Sequence, residues 1–214
     1  MQTAFEESLS RDALKVWRGL TSLFKLQAFL DDLAYSTENR YRSPLNVLRD
    51  RRAHCYDGGV FAAAALRRLG YLPLVVDLQP VRDDNHLLAL YKCDGHWGAV
   101  AKSNFVGLRF REPVYRNLRE LVMSYFEDYY NLERGKSLRG YTVPVNLRAF
   151  DRLNWLIDDA AIDAIADRLG KVRKVRLLTR AMIARLSPID GRSYRAGMLG
   201  TDMSGVYQPT RKGR

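Results

Sequence analysis

The sequence predicts an α+β fold in which a helix packs on an antiparallel sheet. Apolar residues recur at helical spacing in the first third of the chain and again after residue 112. Between these regions, three short strand-like runs follow one another, and Asp94-Gly95 joins the last two with the strongest short-range signal for a hairpin. An antiparallel order is expected because parallel strands would need a crossover connection between each pair.

Helices are expected before the strands. The predicted spans are residues 14–35 with a break near Gly19, residues 44–50, and residues 59–69. Ser43-Pro44 has the residue types of a helix N-cap followed by proline at the first helical position. The third span is rich in alanine, and Gly70 supplies its stop signal.

The strands and the second half of the chain follow from the same patterns. Strands are predicted over residues 72–78, 86–93 and 96–103, with an extended stretch at 141–145. Further helices are predicted over residues 112–131, 147–155, 159–169 and 177–186. Extra helices are therefore expected at both ends of a central helix-and-sheet core.

Composition favours a soluble protein with a basic carboxyl end. The net charge is +11, and most of the excess lies after residue 170. We therefore predict a domain over residues 1–170, with its core at about 41–130, and a basic helix with a flexible tail over residues 171–214. The tail could bind an anionic partner or could be simply solvated. Nucleic acid is disfavoured because the tail lacks interleaved aromatic residues and a recognisable motif.

Several classes of protein are disfavoured by the same composition. No apolar run approaches the ~18 residues that a membrane span needs. The first residues are acidic where a secretory signal would be basic, so a cytoplasmic location is expected. Two cysteines and three scattered histidines match neither a disulfide framework nor a zinc site, and no metal or cofactor is expected.

Cys55 and His86 are the residues that suggest chemistry. Cys55 comes just before a predicted helix, whose positive end favours the thiolate form of a cysteine. His86 begins a predicted strand, where its imidazole could take the thiol proton and return it to a leaving group. The alternative is that Cys55 is a small buried side chain and His86 has no catalytic role.

Residues 41–130 resemble the transglutaminase-like branch of the papain-type cysteine enzymes. A short helix with a basic end runs into Ala53-His54-Cys55-Tyr56-Asp57-Gly58-Gly59, and the next helix ends in Leu69-Gly70-Tyr71 before a strand. A turn marked by Asp and Asn then enters His86, and a hairpin follows whose second strand carries Trp97. The segments 96–104 and 108–115 are similar to a bacterial subgroup of that superfamily. The resemblance implies that Cys55 is a nucleophile and His86 its proton acceptor.

The resemblance also implies a third residue that orients the histidine, and here the sequence departs from the pattern. Ala101 stands where the acid usually falls. If Asp94-Gly95 forms a two-residue turn, paired positions sum to 189 and Ser103 lies opposite His86. A single β-bulge would bring Asn104 there instead, and its amide oxygen could accept a hydrogen bond from the imidazole. Both Ser103 and Asn104 remain candidates.

The predicted function is acyl transfer at an amide bond of a peptide or amide substrate. The acceptor would be water, as in a peptidase or amidase, or an amine, as in a cross-linking enzyme. Trp97, Arg109 and Arg111 are the predicted substrate-binding residues, although either arginine could instead form a structural ion pair with Glu112 or Glu120. The alternative function is a non-catalytic module of the same fold that binds an acidic partner through its basic tail.

Overall fold

The computed structural model describes residues 2–208. In this range the α-helices are α1 (Gln2–Glu7), α2 (Arg11–Gly19), α3 (Leu23–Asp32), α4 (Pro44–Asp50), α5 (Cys55–Arg68), α6 (Leu118–Met123), α7 (Asp159–Lys171), α8 (Arg180–Ala184) and α9 (Gly191–Gly197). The strands are β1 (Ala34–Tyr35), β2 (Arg52–Ala53), β3 (Leu74–Pro80), β4 (His86–Cys93), β5 (His96–Val100), β6 (Arg111–Tyr115), β7 (Leu138–Thr142), β8 (Val145–Asn146) and β9 (Lys174–Arg176). Short 3-10 helices lie at Val106–Leu108, Leu147–Leu153 and Met203–Gly205.

The predicted α+β class is confirmed. Strands β6, β5, β4, β3, β7 and β9 follow one another in a single sheet, β8 pairs with β3, and all of these pairs are antiparallel. The break near Gly19 is also confirmed, because α2 ends there and α3 begins four residues later. In the β4–β5 hairpin, Cys93 pairs with His96, as the two-residue turn at Asp94-Gly95 predicts.

The helix predicted over residues 112–131 is wrong in its first part. Residues Arg111–Tyr115 form β6, which pairs with β5, and only Leu118–Met123 are α-helical. The alternation of half-buried and exposed residues along β6 is typical of a strand at the edge of a sheet. Pairing with a neighbouring strand has overridden the helical pattern of the sequence.

Helix α5 lies on one face of the sheet and is almost completely buried. Leu87, Ala89 and Tyr91 of β4 contribute to the core on this face. Leu88 and Leu90 contribute to a second core on the opposite face, together with residues of α6 and of the turns that follow it. Because side chains alternate along a strand, β4 therefore joins two cores.

Gly58 and Gly59 allow the sheet to approach α5 closely. A Cβ atom at Gly58 would come within 2.1 Å of the Lys102 Cβ, and one at Gly59 would come within 2.9 Å of the Leu87 side chain. The glycine pair therefore serves tight packing between helix and strand. The same packing holds the beginning of α5 against the beginning of β4.

The chain beyond residue 170 contributes a strand to the sheet. Lys174–Arg176 form β9, which pairs with β7 and so extends the same sheet. Leu177, Ile189 and Val206 are buried against the rest of the chain. The helix predicted over residues 177–186 is only the five residues of α8. The part of the predicted tail at residues 209–214 lies outside the described residues.

Across residues 2–208, we find no helix with the length and apolar character that crossing a membrane requires.

Candidate active site

Cys55 is the first residue of α5, as the sequence predicts. His54 caps the helix, since its Nδ1 accepts hydrogen bonds from the backbone amides of Tyr56 at 3.1 Å and Asp57 at 3.3 Å. The Asp57 carboxylate reaches back to the His54 amide and completes a capping box. His54 Nε2 donates to the Arg40 carbonyl at 3.1 Å, which leaves Nδ1 unprotonated as the acceptor. His54 therefore positions the helix start.

The Cys55 sulfur lies at the entrance to β4. The thiol donates to the carbonyl oxygen of Asn85 at 3.6 Å, so it contacts the peptide group that precedes His86. Burial, together with the carboxylates of Asp77 and Asp84, raises the pKa of the Cys55 thiol to about 12, and the Leu87 amide opposes this shift. Desolvation and nearby negative charge therefore oppose the thiolate that the helix terminus would favour.

His86 is the first residue of β4 and is 3% exposed. Its Nε2 donates to the backbone carbonyl of Leu108 at 2.7 Å. Burial lowers the pKa of His86 to about 4, so the ring is neutral at pH 7. A carbonyl only accepts hydrogen bonds, and the neutral ring must therefore carry its proton on Nε2. Nδ1 is left with a lone pair and makes no hydrogen bond within residues 2–208.

Neither predicted third residue reaches the imidazole. Ser103 Oγ accepts from the Phe105 amide at 2.9 Å, and the Asn104 side chain bonds the backbone of Asp202. The β4–β5 ladder ends at Ala89 and Val100 because the Gln27 side chain takes both backbone groups of Ala101. The chain therefore leaves the sheet before it reaches the register that would place Ser103 opposite His86, and Leu108 supplies the hydrogen-bond acceptor instead.

The predicted substrate-binding residues also lie away from Cys55. Trp97 lies near the hairpin turn with the Lys92 ammonium 5.2 Å from its ring centre. Arg109 pairs with Asp31 at 3.3 Å. None of these side chains lines the pocket that contains Cys55.

Arg111 has a structural role. Its guanidinium donates to Ser124 Oγ at 3.0 Å and to the Gly107 carbonyl at 2.8 Å, and it lies 4.0 Å from the centre of the Tyr125 ring. Its carboxylate partner is Asp128 at 3.2 Å, where Glu112 or Glu120 was expected. These contacts tie β6 to the segment after α6 and leave no donor directed at Cys55.

Cys55 opens into a pocket of about 460 Å³. Its lining residues come from four parts of the chain and comprise Tyr35, Ser36, Thr37, Glu38, Asn39, Tyr41, His54, Cys55, Tyr56, Asp84, Asn85, Ser204, Gly205, Val206 and Tyr207. The lining carries two carboxylates, Glu38 and Asp84, and no lysine or arginine within the described residues.

The sequence did not single out two residues that matter to this site, Tyr35 and Asp77. Tyr35 lies in β1, which pairs with β2 just before Cys55, and the backbone amide of Cys55 faces its hydroxyl group. Asp77 is buried, and its carboxylate accepts from Asn85 at 2.8 Å and from Gln79 at 2.6 Å. The only sequence signal for Asp77 is an acidic residue inside an apolar strand.

Comparisons with known proteins add a likeness in fold. No protein-family model and no curated protein matches the chain. The chain does match solved structures. The chain is similar to LapG of Legionella pneumophila at 12% identity and a TM-score of 0.42, over 71% of this chain and 91% of that chain. EGTA-treated LapG of the same organism gives 13% identity and a TM-score of 0.42, over 75% of this chain and 93% of that chain.

The roles of individual residues rest on the contacts of this chain alone. Within residues 2–208, no group of three or more His, Cys, Asp or Glu side chains is arranged to hold a metal ion.

Proposed function

We propose that the protein is a cysteine peptidase or amidase in which Cys55 is the nucleophile and His86 the general base. The observation that carries the proposal is the hydrogen bond from His86 Nε2 to the Leu108 carbonyl, which leaves Nδ1 as the base. The Cys55 sulfur lies at the peptide group that precedes this histidine. A base with a fixed tautomer beside a thiol at a helix start is the arrangement that nucleophilic catalysis requires.

The proposed reaction begins with a neutral pair. The sulfur attacks the carbonyl carbon of an amide while its proton passes to Nδ1 of His86. The imidazolium then protonates the departing amine, which leaves a thioester on Cys55. Water attacks the thioester with His86 again as base, and a carboxylic acid is released. The backbone amide of Cys55, at the positive end of α5, is the nearest donor for the oxyanion of each tetrahedral intermediate.

Water as the acyl acceptor is part of the proposal. An amine acceptor shares the thioester step and differs only in what attacks it. Both cysteines are free in the structure, which fits the proposed reducing, cytoplasmic setting.

The test is cleavage of a peptide mixture at neutral pH, followed by mass spectrometry of the new chain ends. The wild-type chain should cut peptides, and Cys55→Ala should abolish cleavage. His86→Gln keeps a side chain that can donate to the Leu108 carbonyl but removes the base, and it should lower the rate by about 10²-fold or more. Added hydroxylamine should be incorporated at the cut carbonyl only if an acyl-enzyme forms. If neither the wild type nor variants with a more open Cys55 pocket cleave peptides, the non-catalytic module is favoured.

A further inference from the structure

The carboxyl-terminal segment, defined here as residues 201–207, lies in the same pocket as Cys55. Four of its residues line the pocket together with Tyr35 and Cys55; they are Ser204, Gly205, Val206 and Tyr207. Val206 is 8% exposed, whereas Met203 before it is 53% exposed. The segment therefore places part of its length into the pocket and part in solvent.

Asn104 holds this segment by a reciprocal pair of hydrogen bonds. Its side-chain nitrogen donates to the Asp202 carbonyl at 2.8 Å, and its side-chain oxygen accepts from the Asp202 amide at 2.9 Å. Thr201 Oγ1 donates to the Asn104 carbonyl at 3.1 Å. A primary amide that forms hydrogen bonds with both the backbone amide and the carbonyl of one residue imitates the pairing of two strands. Recognition of this kind depends on backbone conformation and would suit a peptide in general.

Gly205 lies against the ring of Tyr35 without room for a side chain. A Cβ atom there would come within 2.7 Å of Tyr35 Cε1 and 3.3 Å of Thr37 Cγ2. The Asp202 carboxylate accepts from the Ser204 amide at 2.9 Å and begins the short 3-10 turn that brings Gly205 to this position. Any larger residue at this point would move the segment outward.

We propose that the carboxyl-terminal segment occupies the peptide-binding cleft of the enzyme and limits access to Cys55. This inference rests on the proposed function, which makes the Cys55 pocket a peptide-binding cleft. It also assigns the substrate class, which is a peptide with glycine at the position that packs on Tyr35. Substrate and segment compete for the same surface, so a bound segment protects the thiol and a displaced one exposes it.

The test compares how fast iodoacetamide alkylates Cys55 in full-length variants at pH 9. Gly205→Val should displace the segment by contact with Tyr35, and Asn104→Ala should release it by removing the reciprocal bonds. Each should speed Cys55 alkylation at least fivefold relative to wild type. Cys93 in the same chain is the internal reference, since it lies in the hairpin and should keep its rate. Gly170→Ala is the matched control, because a Cβ there meets nothing within 4 Å.

A synthetic peptide of sequence TDMSGVYQ supplies the second measurement. Added to the Gly205→Val variant, it should slow alkylation of Cys55 again, whereas the same peptide with valine in place of glycine should not. Unchanged Cys55 rates in both folded variants, or equal effects of the two peptides, would overturn the inference.

The two proposals fail separately. Alkylation reports access to the thiol whether or not the enzyme turns over, so loss of protection without peptide cleavage would leave the segment assignment standing and reject the peptidase. If the wild type and the variants cleave peptides at equal rates, the peptidase stands and the segment assignment is rejected.

Discussion

Nε2 of His86 lies 2.7 Å from the backbone carbonyl oxygen of Leu108, so a main-chain group orients the imidazole. A carbonyl fixes the tautomer as well as a carboxylate does, but it carries no negative charge to stabilise imidazolium. Burial lowers the pKa of His86 to about 4, although the bond to the Leu108 carbonyl opposes this shift. The Cys55 thiol and the His86 ring are therefore both neutral at pH 7, in contrast to the thiolate that the helix start suggested.

Cys55 alkylation should rise steadily with pH. Because the pKa of the thiol is raised to about 12, its thiolate fraction should grow about tenfold per pH unit between pH 6 and pH 9. Rates with iodoacetamide across this range, measured on the Cys55 peptide by mass spectrometry, check the expectation. A plateau beginning near pH 7 would show that a preformed ion pair exists and that the neutral description is wrong.

Asp77→Asn should make the protein less sensitive to rising pH. Burial raises the pKa of Asp77 to about 7 from its ordinary 3.8. Between these values the native state holds a proton that the unfolded state has lost, so stability falls as pH rises. Asparagine retains an oxygen that can accept from Gln79 and Asn85. The free energy of unfolding of the variant relative to wild type should therefore increase from pH 4 to pH 7, by at most about 4 kcal/mol, and then stay constant.

Denaturant titrations at half-unit pH intervals measure this difference. Subtracting the wild-type curve removes the opposite contribution of His86, whose lowered pKa makes stability increase with pH between about 4 and 6.5. If the difference in free energy of unfolding between variant and wild type does not change with pH, Asp77 is ionised in the folded protein over the whole pH range.

His54→Ala should destabilise the beginning of α5. The ring nitrogen of His54 accepts from two first-turn amides, and loss of an N-cap acceptor costs about 1 kcal/mol. His54→Asn is the matched control, because asparagine is among the preferred N-cap residues and should recover most of the loss. Thermal unfolding of the three proteins measures the difference; equal stability of the alanine and asparagine variants would contradict the capping role.

Gly58→Ala should destabilise the contact between α5 and the segment after β5. The added Cβ would lie 2.1 Å from the Lys102 Cβ and 3.4 Å from its Cα, where the backbone must move to make room. Overpacking of this kind costs about 1–3 kcal/mol. Gly170→Ala in α7 meets nothing and should instead stabilise the helix by about 0.5–1 kcal/mol. In chemical denaturation, Gly58→Ala should lower the free energy of unfolding and Gly170→Ala should raise it. An unchanged free energy for Gly58→Ala would show that the strand end can shift freely.

Local patterns of the sequence determined much of the core. The hairpin at Asp94-Gly95, the helix that begins at Cys55 and the break at Gly19 depend on residues near one another in the chain, and all three are present in the structure. The placement of Cys55 at a helix start and of His86 at a strand start likewise depends on residues near them in the chain. Turn chemistry, capping and periodicity act over a few residues and can therefore be deduced from them.

Only the tertiary structure decided what surrounds those two residues. The Gln27 side chain ends the β5 ladder from 74 positions away, which sends Asn104 to Asp202 and leaves Leu108 to bond His86. The high pKa of the thiol likewise depends on burial and on carboxylates from other elements. Hydrogen bonds and desolvation across such distances depend on how whole elements pack. The sequence by itself thus determined which thiol and which imidazole stand at these positions, while packing decided their protonation, their partner and the segment that shares their pocket.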